Sequence, residues 1–202
     1  MADHYEIVGE SLEANPILTI DYYKRAYLIT GDSKYALLVK NMLLKYAILN
    51  PTLKKHPQAT SPFAGHLFWQ ALNDANWMVY TGLAYDLVYP YLSVEERSKI
   101  EIGAFKPEVD YLTIDMKDWY DRLHNHSVWA SAGIGIIGLA SNNKDYVDMA
   151  LYGSDKKGKV GFIAQMDNLF SPDGYYTEGP YYVRYAILPY MLFANALDKA
   201  NP

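Results

Sequence analysis

The stretch that decides the fold class of this chain is Asn125–Ala140, which reads NHSVWASAGIGIIGLA. Beyond its first residues it is apolar or small on nearly every side, which is typical of a helix that is buried on most of its faces. Gly133, Gly135 and Gly138 lower its helix propensity, so we expect them to allow neighbouring helices to approach closely. The stretch predicts a central helix with others packed around it.

Helical patterns fill most of the remaining chain. Apolar residues recur at i, i+3, i+4 and i+7, as on one face of an α-helix, and turn or capping residues separate the patterns. Ser93 and Glu96 have the spacing of a capping box at the start of one helix. No convincing alternating strand pattern is present. The predicted helices cover 17–30, 35–49, 70–88, a stretch from 94 onward, 125–140, 144–151, 161–170 and 180–199.

The predicted fold class is therefore all-α. A buried glycine-rich helix among amphipathic ones suggests an inner and an outer layer, as in an α/α toroid of helical hairpins. A complete toroid of about six hairpins needs roughly 300 residues, whereas this chain has 202. We expect residues 1–202 to form one incomplete α/α toroid domain within a longer protein. A compact helical bundle that is complete in itself is the alternative.

The composition argues against several function classes. A net charge of -5 disfavours nucleic acid as a partner, since a basic face would be expected, but a local cleft can still attract an anionic substrate. The absence of cysteine excludes disulfides and thiolate metal sites. No run reaches the roughly 20 apolar residues of a membrane span. The chain opens Met1-Ala2-Asp3-His4 without a signal-peptide pattern, as expected of a start placed inside a longer gene.

The first candidate for chemistry is His124-Asn125-His126, at the start of the predicted central helix. Histidine titrates near neutral pH and can act as an acid, a base or a hydrogen-bond donor, and asparagine can donate to a carboxylate. A purely structural interpretation is also open, in which Asn125 caps the helix and the histidine is buried and paired. A zinc site is weaker, because residues at i and i+2 of a helix do not share a face.

The second candidate is the segment 171–185, SPDGYYTEGPYYVRY. It begins with a Pro-Asp-Gly turn, and Pro180 can open a helix at its first turn. The chain contains 20 tyrosines, and this segment concentrates them beside a glutamate and an arginine. Core packing would use aliphatic side chains, because each buried hydroxyl needs a partner. The cluster therefore indicates a polar site, although single members such as Tyr185 can still belong to the core.

These residue types fit the β-elimination of a uronate. Such a reaction neutralises the substrate carboxylate, removes the proton at C5 and protonates the departing glycosidic oxygen. Asn125 and His126 could neutralise the carboxylate, and Tyr182 could transfer the proton as acid or base. Arg184 could lower the pKa of Tyr182 or clamp a substrate carboxylate. A glycoside hydrolase would need two facing carboxylates, and nothing marks a partner for Glu178.

The two motifs together resemble the alginate and heparinase II/III-like polysaccharide lyases, and above all polysaccharide lyase family seventeen, the exolytic oligoalginate lyases. The likeness rests on Asn125-His126 at the head of a glycine-rich helix and on DGYYTEGPYYVRY at 173–185. The 56-residue step from His126 to Tyr182 fits the family's spacing. The segment 31–35, GDSKY, is also similar to the toroid hairpins of that group.

The resemblance implies an incomplete α/α toroid followed by a β-sandwich domain that is absent here. The sites it implies fall into two groups: catalytic Asn125, His126 and Tyr182, and substrate-binding Gln70, Tyr175, Glu178, Tyr181 and Arg184. We predict no metal and no cofactor. A further histidine and tyrosine come from the missing C-terminal domain in this family, so we expect little or no lyase activity from residues 1–202 alone. The expected location is periplasmic or secreted.

Several functions remain open at this stage. The expected substrate is an acidic, alginate-type oligosaccharide or polysaccharide. A glycosaminoglycan such as heparan sulfate is less favoured, because sulfate recognition would call for more basic residues than Arg184 near the cleft. A toroid glycoside hydrolase and a non-catalytic carbohydrate-binding domain are the alternatives from other classes.

Overall fold

The computed structural model describes residues 15–57 and 63–200, and the described chain is all-α, as predicted. The first four residues and the last two, Asn201 and Pro202, which informed the expectation of a longer protein, lie outside this part. The helices are α1 Pro16–Thr30, α2 Ser33–Leu49, α3 Ala71–Val88, α4 Val94–Ile100, α5 Lys106–Asp110, α6 Lys117–Tyr120, α7 Asn125–Ala140, α8 Lys144–Tyr152, α9 Phe162–Leu169 and α10 Pro180–Ala200.

Capping residues start several of these helices where the sequence placed them. Asn15 accepts the backbone N–H of Ile17 at 3.0 Å before α1. Ser93 and Glu96 form the predicted capping box before α4, with each side chain accepting the other's backbone N–H. Two π-helical segments, Glu101–Phe105 and Tyr111–Asp115, continue the chain from α4 through α5. The hydrogen bonds of a π-helix join residues five apart and not four. The sequence predicted a helix from residue 94 onward, but it did not show these changes of helix type or where the helical stretch ends.

The central helix α7 is buried along nearly its whole length, as predicted. Each of its three glycines faces a different neighbour. A methyl group at Gly133 would lie 2.8 Å from Met78 Cβ on α3, and one at Gly135 would lie 2.2 Å from the ring of Phe193 on α10. At Gly138 it would lie 2.9 Å from the backbone nitrogen of Val147 on α8. Glycine is therefore required for close packing on three sides.

Helix α3 is a second buried helix, which differs from its predicted one-sided pattern. Trp77, Thr81 and Tyr85 are fully buried on faces outside the predicted apolar stripe. Contacts with α2, α1 and α7 surround the helix, so small, polar and aromatic residues on its other faces are buried, while Leu72, Leu83 and Leu87 of the predicted stripe are only partly buried. The predicted apolar stripe describes one face of the helix, so it did not show that polar residues such as Thr81 are buried on the other faces.

Helices α3, α7 and α10 run parallel, which the order of their contacts shows. Gly133 of α7 faces Met78 of α3, and four residues further on Ile137 meets Gly82. The ring of Trp129 on α7 packs against Tyr185 of α10 at 5.0 Å, and Phe193 reaches Gly135 further along both helices. The three helices therefore begin at the same end of the molecule.

The two buried helices, α3 and α7, fit the inner layer of the predicted architecture. The toroid itself stays a prediction. The described residues contain no strand beyond a single antiparallel bridge between Phe170 and Tyr176. Within residues 15–57 and 63–200, no helix combines the length and the apolar character needed to cross a bilayer.

Candidate active site

The candidate site lies where the three parallel helices begin. Asn125 opens α7, Gln70 immediately precedes α3, and Pro180 opens α10. His126 precedes Trp129 by three residues, and Tyr182 precedes Tyr185 by three. Because those two rings are in contact and each helix rises about 1.5 Å per residue, His126 and Tyr182 lie at the same level on adjacent helices.

Three helix N-termini meet at this end of the molecule, and carboxylates lie at two of them: Glu178 at α7 and Asp74 in the first turn of α3. Unpaired N–H groups give each helix N-terminus roughly half a positive charge, and three helices present that end here. The protein as a whole carries a net charge of -5. The positive ends of these helices therefore partly offset the negative charge of the carboxylates that lie against them.

His124, and not Asn125, is the N-cap of α7. The Nδ1 atom of His124 accepts the backbone N–H of Ser127 at 3.1 Å. A ring nitrogen that accepts a hydrogen bond carries no proton, so neutral His124 is protonated at Nε2. The capping interpretation of Asn125 is thus wrong, and the amide of Asn125 is available for other contacts.

Glu178 connects the tyrosine-rich loop to the start of α7. Its Oε1 atom accepts the backbone N–H of Asn125 at 2.6 Å, and its Oε2 atom accepts the side-chain N–H of the same residue. The hydroxyl of Tyr176, which is almost completely buried, donates to Glu178 Oε1 at 3.3 Å. Two segments 53 residues apart are joined by one carboxylate.

The two histidines form an aromatic cluster with Trp119. The ring centroids of His124 and His126 lie 5.2 Å apart, and Trp119 contacts them at 6.0 and 6.2 Å respectively. Burial lowers the pKa of both histidines, and the proximity of His126 lowers that of His124 further. For His126 the Glu178 carboxylate acts in the opposite direction. Both rings are therefore neutral near pH 7 and can donate a hydrogen bond without carrying charge.

The first turns of α10 expose the other predicted residues. Tyr182 is 45% exposed and Tyr181 is 68% exposed, and their rings meet edge to face at 5.4 Å. The Arg184 guanidinium lies over the ring of Tyr181, with Cζ 4.4 Å from the centroid. Tyr175 is exposed on the preceding loop. The chain thus presents a set of hydroxyls and one guanidinium to solvent at the same end as His126.

Gln70 lies at the corresponding end of α3 and makes no capping hydrogen bond with its side chain. The segment before it is held firmly by the buried carboxylate of Asp74, which accepts the backbone N–H groups of His66 at 2.5 Å and Phe68 at 2.9 Å. Trp69 projects from this segment and is 54% exposed. Its neighbour Gln70 is therefore presented on a rigid support.

Trp69 is a candidate that sequence reasoning left without a role. All four tryptophans of the chain lie in the described part, and the other three are at most 2% exposed. The sequence around Trp69 did not distinguish it from a core residue, because its exposure depends on the conformation of the turn before α3. Tyr185, by contrast, packs against Trp129 and accepts a hydrogen bond from Asn76 at 2.9 Å. Tyr185 is therefore a packing residue.

Comparison with known proteins gives the family of this chain. The family model described as alginate lyase matches residues 22–202. The chain is 45% identical over 176 residues to an exo-oligoalginate lyase of Saccharophagus degradans, and 46% identical over 176 residues to an alginate lyase of Stenotrophomonas maltophilia. Each alignment covers 87% of this chain and 24% of the relative, so the chain spans about a quarter of the relatives' length. The chain belongs to the alginate lyase family.

Proposed function

We propose that this chain forms one wall of the active site of a lyase that cleaves alginate-type oligouronates by β-elimination. The observation that carries the proposal is the placement of His126 and Tyr182 at one level on adjacent parallel helices, beside the Asn125 amide. Family membership supports the reaction class, and the relatives' names support oligoalginate as the substrate.

In the proposed reaction the substrate carboxylate is neutralised first. The second N–H of the Asn125 amide and the neutral ring of His126 donate hydrogen bonds to it. This lowers the energy of the charge that develops when the C5 proton is removed. The electron pair of that C–H bond forms the C4–C5 double bond, and the bond from C4 to the glycosidic oxygen breaks.

Tyr182 transfers the proton in this scheme. The hydroxyl of a tyrosine can deliver a proton to the departing oxygen. The Tyr182 side chain is partly exposed, so it is accessible to a bound sugar. When Tyr182 acts as the acid, it gives its proton to the departing oxygen, and a base supplied by the rest of the full-length protein takes the C5 proton. When a Tyr182 phenolate acts as the base, it takes the C5 proton and returns it to the departing oxygen, and both routes leave the same products.

The surrounding surface suits an extended acidic sugar chain. Exposed aromatic rings at Trp69, Tyr175 and Tyr181 offer flat apolar faces with hydroxyl or N–H groups at their edges. Arg184 can pair with a carboxylate of a neighbouring uronate, and Gln70 supplies an uncharged donor and acceptor. A substrate that is polymeric and acidic also favours a periplasmic or secreted location for the enzyme.

The hydrolase alternative is disfavoured by the contacts of Glu178. A glycosidase needs one carboxylic acid that can protonate the leaving oxygen and a second carboxylate. Both oxygens of Glu178 already accept hydrogen bonds from Asn125. Asp173 bonds to the hydroxyl of Ser171 within its own turn, so neither carboxylate is poised for that chemistry.

Product analysis tests the proposal. Purified protein expressed from the complete gene should convert oligoalginate into products that carry an unsaturated, ultraviolet-absorbing uronate at the new non-reducing end. A reaction in heavy-oxygen water should leave the oxygen at the cleavage point unlabelled. Saturated products with label from water would establish hydrolysis and overturn the proposal. Residues 1–202 alone should give little product, as the resemblance implies.

A further inference from the structure

The contacts of Glu178 are unusual for a residue expected to line a substrate site. Its carboxylate is partly buried and is bonded by the backbone N–H of Asn125, the side-chain N–H of Asn125 and the hydroxyl of Tyr176. Tyr176 is in turn fixed by ring contact with Phe170 at 5.1 Å. Such a carboxylate has few remaining lone pairs for a sugar.

The charge of Glu178 is balanced by the helix start. No lysine or arginine forms an ion pair with it among residues 15–57 and 63–200. It lies instead at the N-terminus of α7, where unpaired N–H groups favour an anion. The carboxylate therefore acts as a helix cap that is supplied from another segment of the chain.

The hydrogen bond between Glu178 and Asn125 fixes the orientation of the Asn125 side-chain amide. An ionised carboxylate only accepts hydrogen bonds, so the NH₂ group of Asn125 must face Glu178 and its carbonyl oxygen must face away. Without the carboxylate, the amide could rotate by half a turn at little cost. A rotated amide would present an oxygen where a substrate carboxylate needs a donor, and the two would repel each other.

We infer that Glu178 is a positioning residue that sets the orientation of the Asn125 amide and joins the tyrosine-rich loop to the start of α7. This inference rests on the proposed function of Asn125 in neutralising the substrate. It reassigns Glu178 from contact with the sugar to support of a residue that contacts it. Loss of the support should lower turnover more than substrate binding.

Glu178→Gln tests the inference because it preserves shape and removes the charge. The oxygen of the introduced amide can still accept the backbone N–H of Asn125, but its NH₂ group then faces the NH₂ group of Asn125. The Asn125 amide should flip to restore the hydrogen bond. We expect kcat on oligoalginate to fall roughly 10- to 100-fold, with KM changed by less than about threefold, and thermal stability close to that of the wild type.

Asp173→Asn is the matched control. It makes the same carboxylate-to-amide change in the same loop, at an exposed residue whose hydrogen bonds within the described part of the chain are to Ser171 and Tyr175 of its own turn. We expect wild-type kcat and KM. The measurements use the protein expressed from the complete gene.

A signal from the Asn125 side chain gives a readout that does not depend on activity. In a proton–nitrogen NMR spectrum, the hydrogen bond to a carboxylate should shift one side-chain N–H of Asn125 strongly downfield. Glu178→Gln should remove that shift, whereas Asp173→Asn should retain it. An unchanged Asn125 signal in the Glu178→Gln variant would overturn the positioning role.

Asn125→Ala separates this inference from the proposed function. If Asn125→Ala abolishes turnover while Glu178→Gln retains wild-type kcat, the positioning role is wrong and the proposed function stands. If the Asn125 signal moves as expected but neither variant lowers turnover, Glu178 orients the amide and the proposed function of Asn125 fails.

Discussion

Replacing Gly135 with alanine should destabilise the packing of α10 against α7. The added methyl group would lie 2.2 Å from Cζ and 2.3 Å from Cε2 of Phe193, whereas carbon atoms in contact settle at about 3.5–4.0 Å. The ring would have to retreat by roughly 1.5 Å. It has little room to do so, because Phe193 is fully buried and meets the ring of Phe162 edge to face at 4.9 Å.

The magnitude follows from two opposing effects. Overpacking of a core costs about 1–3 kcal/mol, and so deep an overlap belongs at the upper end. Alanine returns about 1 kcal/mol because it is a better helix former than glycine. The free energy of unfolding should therefore fall by about 2 kcal/mol, which lowers Tm by about 4–8 °C for a chain of this size.

Urea unfolding followed by far-ultraviolet circular dichroism measures this loss, and Phe193→Leu provides the matched partner. Leucine lacks the ring atoms that approach Gly135, and the substitution by itself costs roughly 1–2 kcal/mol. The double variant should be more stable than the sum of the single losses predicts, by at least about 1 kcal/mol. Strictly additive losses would refute the reasoning that Phe193 against Gly135 sets the approach of α10, and with it the level of Tyr182 beside His126.

Three further predictions follow from the contacts at the site. Acrylamide should quench the fluorescence of Trp69 preferentially, because the other tryptophans are buried, and oligoalginate should protect it; quenching that sugar leaves unchanged would remove Trp69 from the binding surface. Burial lowers the pKa of His124 and His126 below the 6.5 of an unfolded chain, so the unfolded state binds more protons and stability falls as the pH drops below about 6.5. Urea unfolding of His126→Gln should show a shallower fall over that range, and an identical slope would contradict the assignment. Asp74→Ala should leave buried backbone N–H groups unpaired and cost about 1–3 kcal/mol, which the same unfolding experiment measures; a loss below about 0.5 kcal/mol would show that the segment before Gln70 does not depend on this carboxylate.

The local part of this structure was readable from the sequence because its causes are local. Capping residues such as Asn15 and Ser93 bond to N–H groups two or three residues away, so their spacing is visible in the chain. The glycines of α7 indicated close packing because glycine lowers helix propensity, so three glycines in one helix suggest that neighbours approach closely there. The pattern did not show that Asp74 and its neighbours make α3 a second buried helix, because that depends on what surrounds it.

The sequence predicted which residues belong to the candidate site, but not which of them contact each other. Sequence reasoning placed Glu178 among the substrate-binding residues, and its bond to Asn125 spans 53 positions that no local rule connects. It also considered Asn125 as the cap of α7, where the ring of His124 takes that place. Arg184 was expected to act on Tyr182 or on the substrate, and its guanidinium lies over Tyr181. The bond of Glu178 arises from tertiary packing that brings separate segments together, whereas the contacts of His124 and Arg184 are local choices of side-chain conformation that the residue pattern leaves open.

The most direct test of the central claim is the turnover of oligoalginate by the Tyr182→Phe and His126→Ala variants of the protein expressed from the complete gene. Tyr22→Phe, at an exposed tyrosine of α1, is the matched control. The account predicts that kcat falls by about 10²- to 10⁴-fold in both variants, while the control retains wild-type kcat and all three proteins stay folded. Wild-type turnover by a folded Tyr182→Phe variant would contradict the claim that the reaction takes place where these helices begin.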